Sequence, residues 1–265
     1  MAENFYRHAK AYDIAFSDRE YKIECDFLEW AFQNHGRLDL KLNEKNFLEL
    51  GAGPAQHARE MAKRGWNSTA LDLSPDMLKY ADDESRKEGL VLNCVVADMS
   101  EFKLNTKFQL AATLMESISH LVTNEQIISH FKSVAESLIQ GGVYVIEATH
   151  PMFFFPDNEP NTWHSKNEEM EVEVTFGNPD DFYDSITQQW TTSTIIKIKD
   201  GDKSWETYET KSQIRWYLAQ EMKALIELSG DFELCYFYGS LYSLPPQNFD
   251  HSEKSDAMVI VLKKK

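Results

Sequence analysis

Asn46-Phe47-Leu48-Glu49-Leu50-Gly51-Ala52-Gly53-Pro54-Ala55 runs from an apolar strand through an acid into two glycines one residue apart, and then into a helix. Two glycines let the chain turn tightly and leave bare N–H groups open to a ligand. A dinucleotide loop reads GxGxxG or GxGxxA, because a small third residue lets the helix pack closely. Gln56 occupies that position here, so the pyrophosphate fingerprint is broken. Glu49, two residues before Gly51, points the same way. Its carboxylate repels a pyrophosphate and attracts a ligand that carries a cationic amino group beside a ribose.

Outward from this loop the first half alternates strands with helices. An opening helix ends over residues 26–33, with Phe27, Leu28, Trp30, Ala31 and Phe32 as its apolar residues. Residues 46–50 form the first strand and 55–64 a helix that stops near Gly65. Residues 68–73 form the second strand; Ser74 then caps a helix with Pro75 at its first position. Apolar runs at 90–97, 108–115 and 143–148 make three further strands, with a helix over 124–138 closed by Gly141-Gly142. Nearly continuous apolar strands separated by helices predict a parallel sheet covered on both faces, a doubly wound α/β layer.

The pattern changes after His150. Residues 151–167, rich in aromatics, Pro and Asn, read as a loop. Residues 169–174 and much of 191–198 alternate with period two, and Asp200-Gly201-Asp202-Lys203 reads as the turn between two strands. An antiparallel insertion is therefore expected over 152–212, followed by a helix over 213–229. Residues 232–237 and 257–262 are too close for another crossover and are expected to pair antiparallel at the sheet edge.

The chain has 265 residues, 42% hydrophobic and 26% charged, ordinary values for one globular domain. Its net charge of −16 disfavours a nucleic-acid partner. Cys25, Cys94 and Cys235 fit neither a disulfide framework nor a zinc site, and no metal cluster is evident. The first residues lack the apolar run of a secretory signal, and no window approaches the roughly 18 apolar residues of a membrane span, so a cytoplasmic protein is expected.

Ligands of such sheets sit beyond the carboxyl ends of the strands. Those ends bring Glu49, Gly51 and Gly53; Asp72; Asp98 and Met99; Met115 to His120; and Glu147 to His150. Asp72 lies at the distance of about 20 residues where an acid binds ribose hydroxyls. With these residues the chain resembles the class I S-adenosylmethionine (SAM)-dependent methyltransferases, in their small-molecule branch. The resemblance covers residues 47–53, 70–78, 95–99 and 141–146, in the family's order. It implies a Rossmann-like, mostly parallel seven-stranded sheet with an antiparallel last strand and an antiparallel β insertion after strand 5. It implies SAM as cofactor, with S-adenosylhomocysteine (SAH) as product. Carried over residue by residue, Gly51, Ala52 and Gly53 hold the methionine moiety, Asp72 and Leu73 meet the ribose side, and Asp98 meets the adenine amino group. Met77 and Met99 flank the cofactor, with Glu49 and Met115 near it. For Met77 a place in the helix core, and for Asp98 a helix or turn cap, are the competing readings.

Residues 5–13 look like the family's opening, in which the pair Tyr12-Asp13 begins a helix over the cofactor. Tyr12 is read as a contact of the cofactor carboxylate or the acceptor, with packing of a lid as the alternative; Tyr6 is a further candidate. Arg19 is read as partner of the methionine carboxylate or as a salt-bridge residue. The family members that methylate DNA bases or protein glutamines carry an NPPY-like motif where this chain has Met115-Glu116-Ser117-Ile118-Ser119-His120-Leu121. His120 is a candidate base or acceptor-orienting group, or a histidine bonded to nearby backbone. Phe153, Phe154, Phe155, Trp163 and Tyr183 either line an acceptor pocket or pack under the insertion. The expectation is one domain over 1–265, with a helical lid over 1–40 and a substrate lid over 152–212. The expected chemistry is in-line methyl transfer to N or O of a small metabolite, by a monomer or homodimer with no membrane partner. The alternatives are a nicotinamide-dependent oxidoreductase and a non-catalytic SAM-binding protein.

Overall fold

A computed structural model describes residues 8–36, 45–153 and 160–265. Its larger sheet has the order β11-β12-β5-β4-β1-β2-β3. These strands are β1 (Asn46–Leu50), β2 (Asn67–Asp72), β3 (Asn93–Val96), β4 (Phe108–Thr113), β5 (Leu138–Thr149), β11 (Phe232–Tyr238) and β12 (Ala257–Lys264). The first five are mutually parallel. β12 runs antiparallel between β5 and β11.

Alternate residues of each central strand feed opposite cores. Phe47, Leu110, Ala112, Val143 and Val145 pack with α2 (Tyr21–His35), α3 (Gln56–Lys63) and α4 (Pro75–Lys87). Leu48, Ala111, Tyr144 and Ile146 pack with α5 (Asn124–Ser137) and α6 (Ala219–Ser229). Apolar residues at both parities along a strand are what burial of both faces requires. Thr123 opens α5 through a capping box with Gln126.

The strands read over 90–97 and 108–115 shorten to Asn93–Val96 and Phe108–Thr113, and the boundaries depart further in four places. Ala55 adopts a left-handed φ of 56° and caps α3, so that helix begins at Gln56. Gly141-Gly142 do not close α5. They sit inside β5, where pairing jumps from Phe108↔Leu138 to Leu110↔Val143. Gly141 has φ 77°, and a Cβ on Gly142 would lie 3.0 Å from the Ile139 carbonyl oxygen. The glycines thus serve a bulge, and β5 starts at Leu138. Residues 161–166, read as loop, form a strand. Gln213 and Ile214, read as helix, extend a strand opposite Thr191 and Trp190.

The second sheet has the order β10-β9-β7-β6, with β8 paired to β9. Its strands are β6 (Asn161–Lys166), β7 (Met170–Phe176), β8 (Phe182–Asp184), β9 (Gln189–Asp200) and β10 (Glu206–Ile214). Ala11, Ile14 and Ala15 of helix α1 (Ala9–Ala15) pack against Val172, Val174, Ile196 and Ile198. The Trp163 indole N–H donates to the Ala15 carbonyl at 2.9 Å. At its other end the second sheet grips the turn after β4. The Arg215 N–H donates to the Ser119 carbonyl at 2.8 Å, and the Gln189 amide to the Val122 carbonyl at 3.3 Å. None of the described helices is long and apolar enough to cross a membrane.

Candidate active site

The carboxyl ends of β1 and β4, with α1, α2 and the start of α3, surround a narrow cavity. It is lined by Tyr12, Tyr21, Glu49, Gly51 to Gly53, His57, Met115 and Ser117, among others. Gly51 has φ 62°, and a Cβ there would lie 2.8 Å from Ser117 Cβ. Only glycine meets both demands, a left-handed backbone and contact with the neighbouring turn. The Ser117 hydroxyl in turn donates to the Gly51 carbonyl at 3.2 Å. Gly51→Ala is expected to lower the unfolding temperature, with Ser117→Gly restoring part of the loss; a Gly51→Ala melting curve identical to wild type contradicts the packing argument.

Asp72 ties the loop to the next unit. Its Oδ2 accepts the Gly53 N–H at 2.7 Å and its Oδ1 the Ser74 N–H at 2.8 Å. Burial pushes this carboxyl above its usual range, against the two N–H bonds that hold it down. Ser74 then caps α4 by accepting the Met77 N–H at 3.3 Å.

Behind the loop lies a buried ionic chain. Glu49 Oε2 accepts the Ala58 N–H at 2.8 Å, and its Oε1 meets His57 Nδ1 at 2.9 Å. His57 Nε2 bonds Glu24. Glu24 accepts from Arg19 Nε at 2.9 Å, and Arg19 Nη2 donates to both oxygens of Glu147 at 3.0 and 2.9 Å. Glu147 closes the chain by accepting the Met115 N–H at 2.6 Å. Burial works against the His57 charge, yet the bonds to Glu24 and Glu49 outweigh it and raise the imidazole to about 9. Burial likewise opposes the Glu24 charge, and His57 and Arg19 outweigh it, holding the carboxyl at about 2.

Linkage sets the signs. The His57 contribution to stability is complete below its ordinary value of 6.5 and is lost as pH rises through about 9. The Glu24 contribution is complete above 4.5 and is lost as pH falls through about 2. Urea unfolding against pH is expected to show the network's full stability between those ordinary values, with an alkaline decline that His57→Gln removes. An unchanged alkaline decline in that variant contradicts the assignment.

The structure places the other predicted residues as follows. Tyr12 lines the cavity and stacks on Phe16 at 4.7 Å. Leu73 is 69% exposed, an apolar face beside Asp72. Asp98 is exposed, and its Oδ1 accepts the Ser100 N–H at 2.8 Å, the turn-cap role. The Met99 sulfur would lie 3.6 Å from a Cβ on Gly51. Met115 and Glu116 carry successive left-handed φ values of 52° and 59°, backbone strain of the kind that gathers at functional turns.

Two expectations are corrected. Met77 is fully buried in α4, so its side chain packs the core and offers no surface to a ligand. Arg19 is engaged by Glu24 and Glu147, the salt-bridge reading, with its own side chain part-buried. His120 ends the one-turn helix Ser117–His120 with an exposed side chain outside the lining of the glycine-loop cavity. The surrounding protein still disfavours its charged form and lowers its pKa. Tyr6, Phe154 and Phe155 lie outside the described residues. Phe153 is half exposed. Trp163 belongs to the core between α1 and the second sheet, and Tyr183 stacks on Trp190 at 4.6 Å, so no single pocket unites them.

Tyr21, His57 and Ser117 line the cavity without having been singled out. His57 had a visible signal, because it falls one turn after the glycine loop in line with Gly53. Its carboxylate partner on α2 had none, since 33 residues separate Glu24 from His57.

These groups suit a nucleoside with a cationic tail. Asp72 keeps a lone pair on each oxygen for ribose hydroxyls, Leu73 offers an apolar face, and a glycine-walled cavity runs toward Glu49. A methyltransferase-domain family model matches residues 47–142. A dTDP-3-amino-3,4,6-trideoxy-α-D-glucopyranose N,N-dimethyltransferase of Streptomyces venezuelae is 27% identical over 158 residues, 60% of this chain and 62% of that protein. Over residues 47–142 this chain is similar to the methyltransferase-domain family, which supports its resemblance to the class I SAM-dependent methyltransferases.

The chain aligns with less than two thirds of the length of the curated relatives it matches. Its fold extends further. A SAM-dependent methyltransferase from Clostridium acetobutylicum superimposes with TM-score 0.76 over 98% of both chains at 18% identity. A SAM-bound amino pentose methyltransferase from Micromonospora echinaspora does so with TM-score 0.69 over 100% of both at 17% identity. These likenesses support SAM over a nicotinamide as the cofactor.

Proposed function

We propose that this methyltransferase transfers a methyl group from SAM to an amino nitrogen of a small-molecule acceptor of the amino-sugar class. The carrying observation is the grip on residues 117–121. Ser117 bonds the Gly51 carbonyl on the cofactor side, and Ser119 accepts from Arg215 of the second sheet. An acceptor held under the second sheet meets the glycine loop across this turn, and His120 ends it. The N,N-dimethyltransferase relative supports nitrogen and a sugar as the acceptor class.

When bound, SAM supplies an electrophilic methyl group for in-line displacement by the acceptor nitrogen. Gly51, Ala52 and Gly53 would cradle its methionine part, Asp72 the ribose, Leu73 and Asp98 the adenine side, and Tyr12, Glu49, Met99 and Met115 the remaining walls. The protein's main contribution is alignment, worth up to about 7–11 kcal/mol. α1 and the second sheet act as lids and exclude water, whereas α2, expected as part of a lid over 1–40, packs in the core of the larger sheet. His120, at the end of the turn, takes the proton that the acceptor ammonium loses. A cytoplasmic location, a monomeric or dimeric state and independence of nucleic acid belong to the same proposal.

The test is SAH release against a panel of dTDP-linked amino sugars, simple amines and phenols, with products read by mass. Methylated amino sugars are expected. Methylation of hydroxyl acceptors alone refutes the nitrogen assignment. No product, with no labelled methyl reaching any metabolite in extract, supports the non-catalytic alternative. His120→Ala is expected to lower turnover by about a hundredfold while SAH affinity stays within about twofold; unaffected turnover makes His120 structural.

A further inference from the structure

We propose that His57 is a positioning residue, an imidazolium that locks Glu49 and helix α2 against the glycine loop and thereby sets affinity for the cofactor. The inference rests on the SAM reading of the site. His57 is 1% exposed, Glu24 0% and Glu49 4%. Both ring nitrogens face carboxylate oxygens, and ionised carboxylates only accept. Two ring N–H donors satisfy both contacts at once, so the ring carries the positive charge. Arg19, which also donates to Glu24, keeps that carboxylate ionised.

The other groups facing the ring fit this state. Tyr21 presents its edge at 5.0 Å, and the Cys25 thiol donates to the His57 carbonyl at 3.8 Å. Neither supplies an alternative partner to a ring nitrogen.

The lock is placed to matter. Glu49 and His57 both line the glycine-loop cavity. Through Glu24, Arg19 and Glu147 the same chain of bonds reaches the Met115 N–H on the opposite wall. Three carboxylates (Glu24, Glu49, Glu147) and two cations (Arg19, His57) make it up, which leaves one carboxylate charge in excess beside the cavity. That excess suits a ligand with a cationic ammonium end. Without the imidazolium, two buried carboxylates lose their common partner, and Glu49 is held only through its other oxygen by the Ala58 N–H.

The experiment pairs ¹⁵N NMR of the histidine side chains with calorimetry of SAH binding. In the wild-type protein at pH 7.5 both nitrogens of His57 are expected to carry protons. His57→Gln, shown folded by circular dichroism, is expected to bind SAH at least about tenfold more weakly, because Glu49 loses its cation and Glu24 keeps only Arg19 as one. The acceptor KM at saturating SAM moves by less than about twofold, a split that general loss of structure would not produce. Should His57→Gln fail to fold, Glu24→Gln carries the test: His57 then titrates at lower pH and SAH binding weakens. A neutral His57 ring in the wild type overturns the proposal. So does full SAH affinity in folded His57→Gln, or an unchanged His57 titration and SAH affinity in Glu24→Gln. Wild-type protein that fails to bind SAH while His57 is doubly protonated refutes the SAM reading of the site and, with it, the cofactor role of His57.

Discussion

Asp72→Ala weakens SAH binding by more than about tenfold, and the reason is double. The carboxylate offers a cofactor ribose a charged acceptor on each oxygen, and such bonds are worth about 1.5–3 kcal/mol. The same oxygens hold the Gly53 and Ser74 N–H groups. Removing them leaves two part-buried donors unsatisfied, at about 1–3 kcal/mol each, and frees the loop from the start of α4. The variant should therefore lose thermal stability along with affinity. Asp72→Asn separates the two effects, since its amide keeps one acceptor and places an N–H donor against a backbone N–H. It should retain more stability than the alanine variant and still lose affinity. Calorimetric titration with SAH and thermal denaturation read both quantities, and SAH affinity unchanged in Asp72→Ala removes Asp72 from the cofactor site.

Arg19→Ala costs about 3–5 kcal/mol of folding stability, the usual penalty for removing one partner of a buried ion pair. The guanidinium joins Glu24 of α2 to Glu147 at the end of β5, and Glu147 also holds the Met115 N–H. Its loss leaves Glu147 without a cation. The strained turn at Met115 and Glu116 then rests on a carboxylate that must protonate or move. Arg19→Lys recovers only part of the loss, because one ammonium cannot reproduce a fork that meets two carboxylates at once. Urea unfolding monitored by tryptophan fluorescence measures the change. A loss below about 1 kcal/mol, the range of exposed salt bridges, contradicts the structural role assigned to Arg19.

Much of the fold was legible because the governing signals are local. Apolar runs at 46–50 and 143–148, and 108–113 of the run read to 115, sit in strands that are buried on both faces. The glycine loop with Asp72 identified the ligand end, since the residue types and their spacing carry the chemistry. The misread boundaries share a cause. Gly141-Gly142 is as good a helix stop as it is a bulge, and only pairing with Phe108 and Leu110 decides between them. Residues 161–166 alternate weakly, and their strand exists because Thr175 and its neighbours lie beside them.

The sequence by itself determined the α/β layer, the glycine-loop end of the sheet and the class of ligand, through patterns that span a few residues or one strand–helix unit. The tertiary structure alone decided which partners Glu49 and Arg19 meet and that Met77 is buried. A carboxylate two residues before a glycine loop carries no sign in the sequence of the histidine folded against it or of the distant glutamate behind that histidine. Partners 33 and 128 residues apart meet only after the sheet and α2 have packed. Burial then decides which charges must pair and which side chains face the core.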